Sequence, residues 1–357
     1  MKMPGLALPP PAAVPLLGAG EALGVWRVVE PLHASDAGQW YSARHALAAD
    51  RGAALLVLQR SERAADAMLR FADQAGDLGR LDHAAIRVPS DSGVTAGGQP
   101  YLILDWADGD PLLRACAALP LRVRLQLLVQ LCELLRYVHQ QGWLLGEIDP
   151  AMLWLGPDQH LTLMGVGLQR MPDPADPFER GTAPGALPGY KSPELQAGAP
   201  PSLSSEAFGV GALLLMLVDG RLPADLGEDF DAAALAGAWP ELGAAERLSL
   251  DALLHKAAAP LPARRHASAE ALADDLRAWL LGQNHSALTL TPMPVPAPAL
   301  ALASGPARGR LGLDIDFDVL ESEPAALAAA QADGGSGWRR MLSGLASLMP
   351  GGRAARG

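Results

Sequence analysis

Gly142-Trp143-Leu144-Leu145-Gly146-Glu147-Ile148-Asp149-Pro150-Ala151-Met152-Leu153-Trp154 and, downstream, Tyr190-Lys191-Ser192-Pro193-Glu194 are the stretches on which the reading of this 357-residue chain turns. Before the first, Leu121, Leu125, Leu128, Leu131, Leu135 and Val138 recur at helical spacing and line one face. Gly142 stands where such a helix stops, since glycine enters the left-handed conformation without a Cβ penalty. Beyond the second stretch the pattern stays helical, with helices predicted over 203–219, 230–236, 244–257 and 268–281. The longest apolar run, 207–218, is shorter than the roughly 20 residues of a membrane span and reads as a buried helix. Upstream, the aromatic and β-branched content of 25–29, 39–44, 53–59 and 101–105 predicts strands. Between them Ala65, Met68, Phe71, Ala75 and Leu78 predict a helix over 61–81. Strands with one helix first, then helices, is an α+β order.

Composition narrows the classes. Half of the residues are hydrophobic, ample for a core, and a net charge of −11 argues against a nucleic-acid groove. Two cysteines, Cys116 and Cys132, make neither a disulfide framework nor a zinc site, and Cys132 lies in an apolar helical pattern that predicts a buried, inert thiol. No His or Cys pair has metal-ligand spacing, so no His/Cys metal site is expected. Pro4, Pro9, Pro10, Pro11 and Pro15 interrupt the N-terminal apolar stretch, which argues against a signal peptide, and a cytoplasmic protein without a transmembrane segment is expected. The chain divides into a disordered Pro/Ala-rich stretch (1–22), a strand-rich lobe (23–104), a helical lobe (105–282) and a low-complexity tail (283–357). The tail holds an acidic stretch, Asp314-Ile315-Asp316-Phe317-Asp318, and a terminal helix-like segment with Trp338, Leu342, Leu345 and Leu348 on one face.

Further short matches accompany the two opening stretches, in order: Trp26-Arg27-Val28-Val29-Glu30-Pro31-Leu32, then Leu78, Leu81, His83 and Ile86, then Pro100-Tyr101-Leu102-Ile103-Leu104-Asp105-Trp106, and finally Arg265, Ala269, Leu272, Leu276 and Trp279. With them, residues 23–282 resemble the bacterial Ser/Thr protein kinases of the eukaryotic-like type. The resemblance implies a two-lobed kinase-like fold, and it marks the positions where that family keeps its chemistry. Here they have changed. The chain has three lysines, Lys2, Lys191 and Lys256, none near the third strand, where the family's phosphate-binding lysine falls at or beside Val57. The glutamate that would pair with it is Gln74. The glycine-rich loop reads His33-Ala34-Ser35-Asp36-Ala37-Gly38 and keeps only its last glycine. His-Arg-Asp has become Leu145-Gly146-Glu147, the neighbouring lysine is Asp149, the metal-binding asparagine is Met152, and Asp-Phe-Gly is Gly165-Val166-Gly167. Leu187 replaces the threonine near the end of the activation segment.

What the resemblance preserves is structural. It implies a buried ion pair between Glu194 and Arg265, and a hydrophobic spine through Leu145 and Val166. The adenine slot falls to Trp40, Leu55, Leu104 and Trp154, whose apolar volume is expected to fill it from within. Phosphoryl transfer is mostly positioning and electrostatics, so losing the lysine, both metal ligands and the base together implies an inactive scaffold or regulatory binding module that takes no metal or other cofactor. The alternatives are a divergent Ser/Thr kinase with Glu147 as base and residual ATP binding or phosphotransfer, and a nucleotide sensor without turnover. Protein partners are expected to bind through the tail (284–357) or the large lobe, with Thr289 and Thr291 as candidate phosphorylation sites.

Overall fold

The computed structural model describes residues 17–34, 37–48, 50–59, 62–146, 148–171, 188–223 and 238–288. A six-stranded antiparallel sheet in the order β1-β2-β3-β4-β7-β6 forms the first lobe, from β1 (Ala22–Leu23), β2 (Trp26–Ala34), β3 (Gly38–His45), β4 (Gly52–Leu58), β6 (Pro89–Val94) and β7 (Pro100–Asp105). Helix α1 (Glu62–Leu78) packs on the sheet and ends one residue before Gly79, earlier than the predicted 81. Every residue from 53 to 58 is fully buried, as befits a central strand covered on both faces. Strand pleating then splits its side chains: Ala54, Leu56 and Leu58 join a cluster with Trp40, Leu102 and Leu104, while Ala53, Leu55 and Val57 join Tyr41, Tyr101 and Ile103 on the other side.

The sheet starts earlier than the sequence implies. Leu17 donates its backbone N–H to the Tyr41 hydroxyl at 3.0 Å, and the Gly20 amide bonds the Val28 carbonyl at 2.8 Å, so residues 17–22, assigned above to a disordered stretch, belong to the lobe.

The second lobe is built around α3 (Leu121–Gln140) and α5 (Leu203–Asp219). All six stripe residues of α3 are buried, and Gly142, at φ +79°, follows its C-cap. In α5 every residue of the apolar run 207–218 except Met216 is buried, which is what a helix apolar all round requires. It is preceded by α2 (Leu112–Cys116) and α4 (Pro193–Gln196) and followed by α6 (Ala244–Ala257) and α7 (Ala269–Leu280). Helix α3 packs on α5 and α7, and α6 on α5 and α7. Burial pushes the Cys116 thiol up to about 11 and the Cys132 thiol higher still, so neither is a ready thiolate.

Short strands line the junction of the lobes: β5 (Ile86–Arg87), β11 (Leu161–Met164), β10 (Leu153–Leu155) and β8 (Asp110–Pro111) form one sheet in that order, and β9 (Trp143–Leu144) pairs with β12 (Gln169–Arg170). The end of the large lobe also differs from the predicted boundary at 283. His285 and Ala287 are buried, and a 3-10 turn, Ser286–Leu288, packs on α6. The predicted helix at 230–236, Ser35, Asp36, Glu147, Leu187, Thr289, Thr291 and the rest of the tail lie outside the described residues. Among the described residues no helix is long and apolar enough to cross a membrane.

Candidate functional site: the cleft between the lobes

The cleft is walled by β3 and β4 above and by β10 below. The pairing Trp40↔Leu56↔Leu102 places Trp40 on the cleft face of the sheet, and Trp154 comes up from β10. Their ring centroids are 6.0 Å apart at 63°, and Trp106, just past β7, meets Trp154 edge-on at 5.8 Å. His33, from the end of β2, stacks on Trp40 at 5.7 Å with 17° between planes and meets Trp154 at 5.6 Å. Trp40 and Trp154 are 0% and 2% exposed, so these rings are core rather than surface.

Polar groups in the cleft serve this packing. The Trp154 indole N–H and the His33 Nε2–H both donate to the Ala151 carbonyl at 3.2 Å, which fixes the His33 tautomer because a carbonyl only accepts. Burial holds His33 down at about 4, so its ring is neutral at physiological pH. The Trp40 indole N–H is buried with no partner among the described residues. Asp149 is buried, and its Oδ1 accepts from the Ala151 amide at 2.8 Å as the N-cap of the 3-10 turn Pro150–Met152.

The residues named from the sequence are only partly gathered. Trp40, Leu104, Met152 and Trp154 share one cluster with Met164 and Val166. Leu55 and Val57 do not join them; they face the other side of β4, and Ala54 and Leu56 occupy the corresponding places on the cleft face. Gln74 lies on α1 with its Oε1 buried and without a partner among the described residues, while Val57 points away from the cleft. Gly165 follows β11, where its amide bonds the Arg87 carbonyl at 2.8 Å, and a Cβ there would lie 2.5 Å from Leu168 Cδ1. Leu145 and Val166 fall in different clusters: Leu145 packs in the large-lobe core that includes Leu78 and Leu168, and Val166 in the cleft. Of the lysines, Lys191 adjoins Tyr190, Lys256 sits on α6 beside Asp275, and Lys2 lies outside the described residues.

Gly38 is kept for a packing reason. It pairs with Leu58, and an added Cβ would lie 1.9 Å from the Val57 carbonyl oxygen, a backbone atom that cannot yield. Gly38→Ala is expected to cost about 3 kcal/mol, the upper end of overpacking penalties. Chemical denaturation checks this, and a variant within about 0.5 kcal/mol of the parent contradicts it.

Below the cleft, Arg265 Nη1 and Nη2 meet Glu194 Oε1 and Oε2 at 2.7 and 3.1 Å. A second anchor escaped the sequence reading. Glu206, buried at the start of α5, accepts the Leu145 amide on Oε1 at 2.6 Å and faces His139 Nε2 of α3 with Oε2, tying Leu145 and α3 to the central helix. The available signal was a lone carboxylate immediately before the longest apolar run. His33 and Trp106 were also missed; both are aromatic rings at strand ends, where alternation no longer indicates a face.

A scan against models of protein families finds no match. Among curated proteins, the chain is 29% identical over 269 residues to the serine/threonine-protein kinase pkn2 of Myxococcus xanthus, covering 70% of this chain and 32% of that protein. It is 25% identical over 161 residues to the serine/threonine-protein kinase PknB of Mycobacterium leprae, covering 43% and 26%. The chain thus spans between about a quarter and a third of the length of these relatives. Among solved structures, the PknI kinase domain of Mycobacterium tuberculosis, crystallised as a double mutant, superposes with a TM-score of 0.58 at 26% identity, covering 74% of this chain and 99% of that one. The unsubstituted PknI kinase domain gives 0.56 at the same identity. The chain has a protein-kinase fold, and its homologues include bacterial Ser/Thr protein kinases.

Proposed function

We propose that this chain is a catalytically inactive protein-kinase-like module that works as a scaffold or regulatory binding partner. The observation that carries the reading is the cleft itself. Where a nucleotide base would lie, His33, Trp40, Trp106 and Trp154 pack against one another, with Met152, Met164 and Val166 completing an apolar interior. Strand β4 supports it: its cleft-facing residues are Ala54, Leu56 and Leu58, so no cation projects from it toward a triphosphate. Met152 and Gly165, at the two positions where the family holds its metal, have no side-chain oxygen to offer a hard cation. The ion pair Arg265–Glu194 and the Glu206 anchor keep the large lobe assembled independently of that chemistry. Partner contacts in this reading are made by the large lobe or by residues beyond 288.

Two measurements test the proposal. Purified protein is expected to transfer no phosphate to itself or to a basic substrate with magnesium or manganese present. Millimolar ATP is expected to leave the melting temperature unchanged, whereas a ligand at 100 times its Kd adds about 2.7 kcal/mol. Phosphotransfer that disappears in Glu147→Gln overturns the reading in favour of a divergent kinase. A melting shift without phosphotransfer points to a nucleotide sensor.

A further inference from the structure

The end of the described chain is held by a buried polar cluster that the cleft does not use. Asp275 on α7 is its hub. Its Oδ2 accepts from His266 Nε2 at 2.9 Å and from the Ser286 hydroxyl at 2.5 Å, and its Oδ1 accepts from the Ser286 amide at 2.9 Å. Lys256 on α6 stands 3.5 Å from Oδ2 and also donates to the Ser286 hydroxyl. Beside it, His285 Nε2 pairs with the Ser249 hydroxyl of α6 at 2.7 Å. His266, Asp275 and His285 are all buried. Nearby, Arg265 pairs with Glu194, and His255 with Asp251 of its own helix.

We propose that this cluster is a pH-operated latch, which holds residues 285–288 against α6 and α7 at neutral pH and releases them in mild acid, freeing the root from which residues 289–357 continue. The geometry sets the direction. A carboxylate only accepts, so His266 carries its proton on Nε2 and its Nδ1 is bare; that Nδ1, like the Nδ1 of His285, is buried with no partner among the described residues. In the protonated state each ring carries an Nδ1–H with no acceptor among the described residues; in His266 that N–H is newly made, and both charges lie near the Lys256 ammonium. Burial lowers both histidines below their ordinary 6.5, and outweighs the opposite pull of Asp275. The closed state therefore binds fewer protons than the open one, so closure is favoured above 6.5 and weakens as pH falls below it. Asp275 does not share this window. Burial alone would raise it, but its bonds from Ser286 and His266 hold it at about 2, so its contribution persists until pH falls below its ordinary 3.8.

Hydrogen exchange by mass spectrometry on the full chain tests the latch. Corrected for intrinsic rates, the opening equilibrium over 285–288 should rise between about pH 7.5 and about pH 5.5, by up to about tenfold for each histidine that opening exposes. His266→Gln with His285→Gln keeps side-chain amides in place of the rings and should abolish that pH response. An opening equilibrium that ignores pH in the parent chain, or a response that survives in the double variant, overturns the proposal. NMR titration of the parent covers the case in which the double variant fails to fold: both rings should titrate below 6.5, and titration at or above that value overturns the latch equally.

Discussion

Arg265→Ala should destabilise the chain by about 3–5 kcal/mol, the usual consequence of removing a buried partner from an ion pair; the pair is buried on the arginine side only, since the Glu194 side chain is 22% exposed. The arginine side chain is 0% exposed and all five of its N–H groups are used. Two go to Glu194, and the others to the carbonyls of Ala259, Ser204 and Pro260 at 2.8–3.0 Å, with Phe208 5.0 Å from the guanidinium. Alanine leaves three carbonyls and a carboxylate without their donor. Arg265→Lys should rescue little, because an ammonium has three donors and no planar fork. The pair also sets an acid limit. Burial opposes ionisation of Glu194, but its bonds to Arg265 hold it below its ordinary 4.5, so the stabilisation is present above that pH and is lost as pH falls through the lowered value. Urea or guanidinium unfolding reads these differences. An Arg265→Ala variant within about 1 kcal/mol of the parent would mean that the pair does not hold the lobe together.

Trp40→Ala should cost about as much, roughly 3–5 kcal/mol, because it deletes a fully buried indole from the middle of the cleft cluster. Trp154→Leu should cost less, since it keeps part of the volume, and the two changes should not add. Their rings touch, so a double-mutant cycle should return a coupling of about 0.5–3 kcal/mol. Stability unchanged by Trp40→Ala would show that the tryptophans are not core and would remove the main support for a self-filled cleft.

Much of the fold was legible because periodicity is a local property. The stripe from Leu121 to Val138 became α3, the apolar run at 207–218 became the buried body of α5, and the strands at 39–44 and 53–59 became β3 and β4. Strand β6 was not legible: Pro89-Ser90-Asp91-Ser92-Gly93-Val94 has the composition of a turn, yet it pairs along β7 as an edge strand, with proline at its first position, where no ladder bond is lost. The docked end was missed for a related reason. His285 and Ser286 carry no apolar signal, and they are held by polar partners on α6 and α7 that lie at least ten residues away in sequence.

By itself the sequence determined the order of the main strands and helices, the apolar faces of the helices and the loss of lysines from the sheet, all of which follow from residue type and spacing. It did not determine which side of β4 faces the cleft. Residues 53–58 are all apolar, so alternation offers no clue, and a shift of one residue exchanges the two faces. Only the pairing of Leu56 with Trp40 and Leu102 settles it, placing Ala54 and Leu56 in the cleft and Leu55 and Val57 behind it. The same holds for His33, which reaches Trp40 and the Ala151 carbonyl only once β2 has folded over the strand that carries Trp154. Register and long-range contact are properties of the assembled chain, and they decide what fills the cleft.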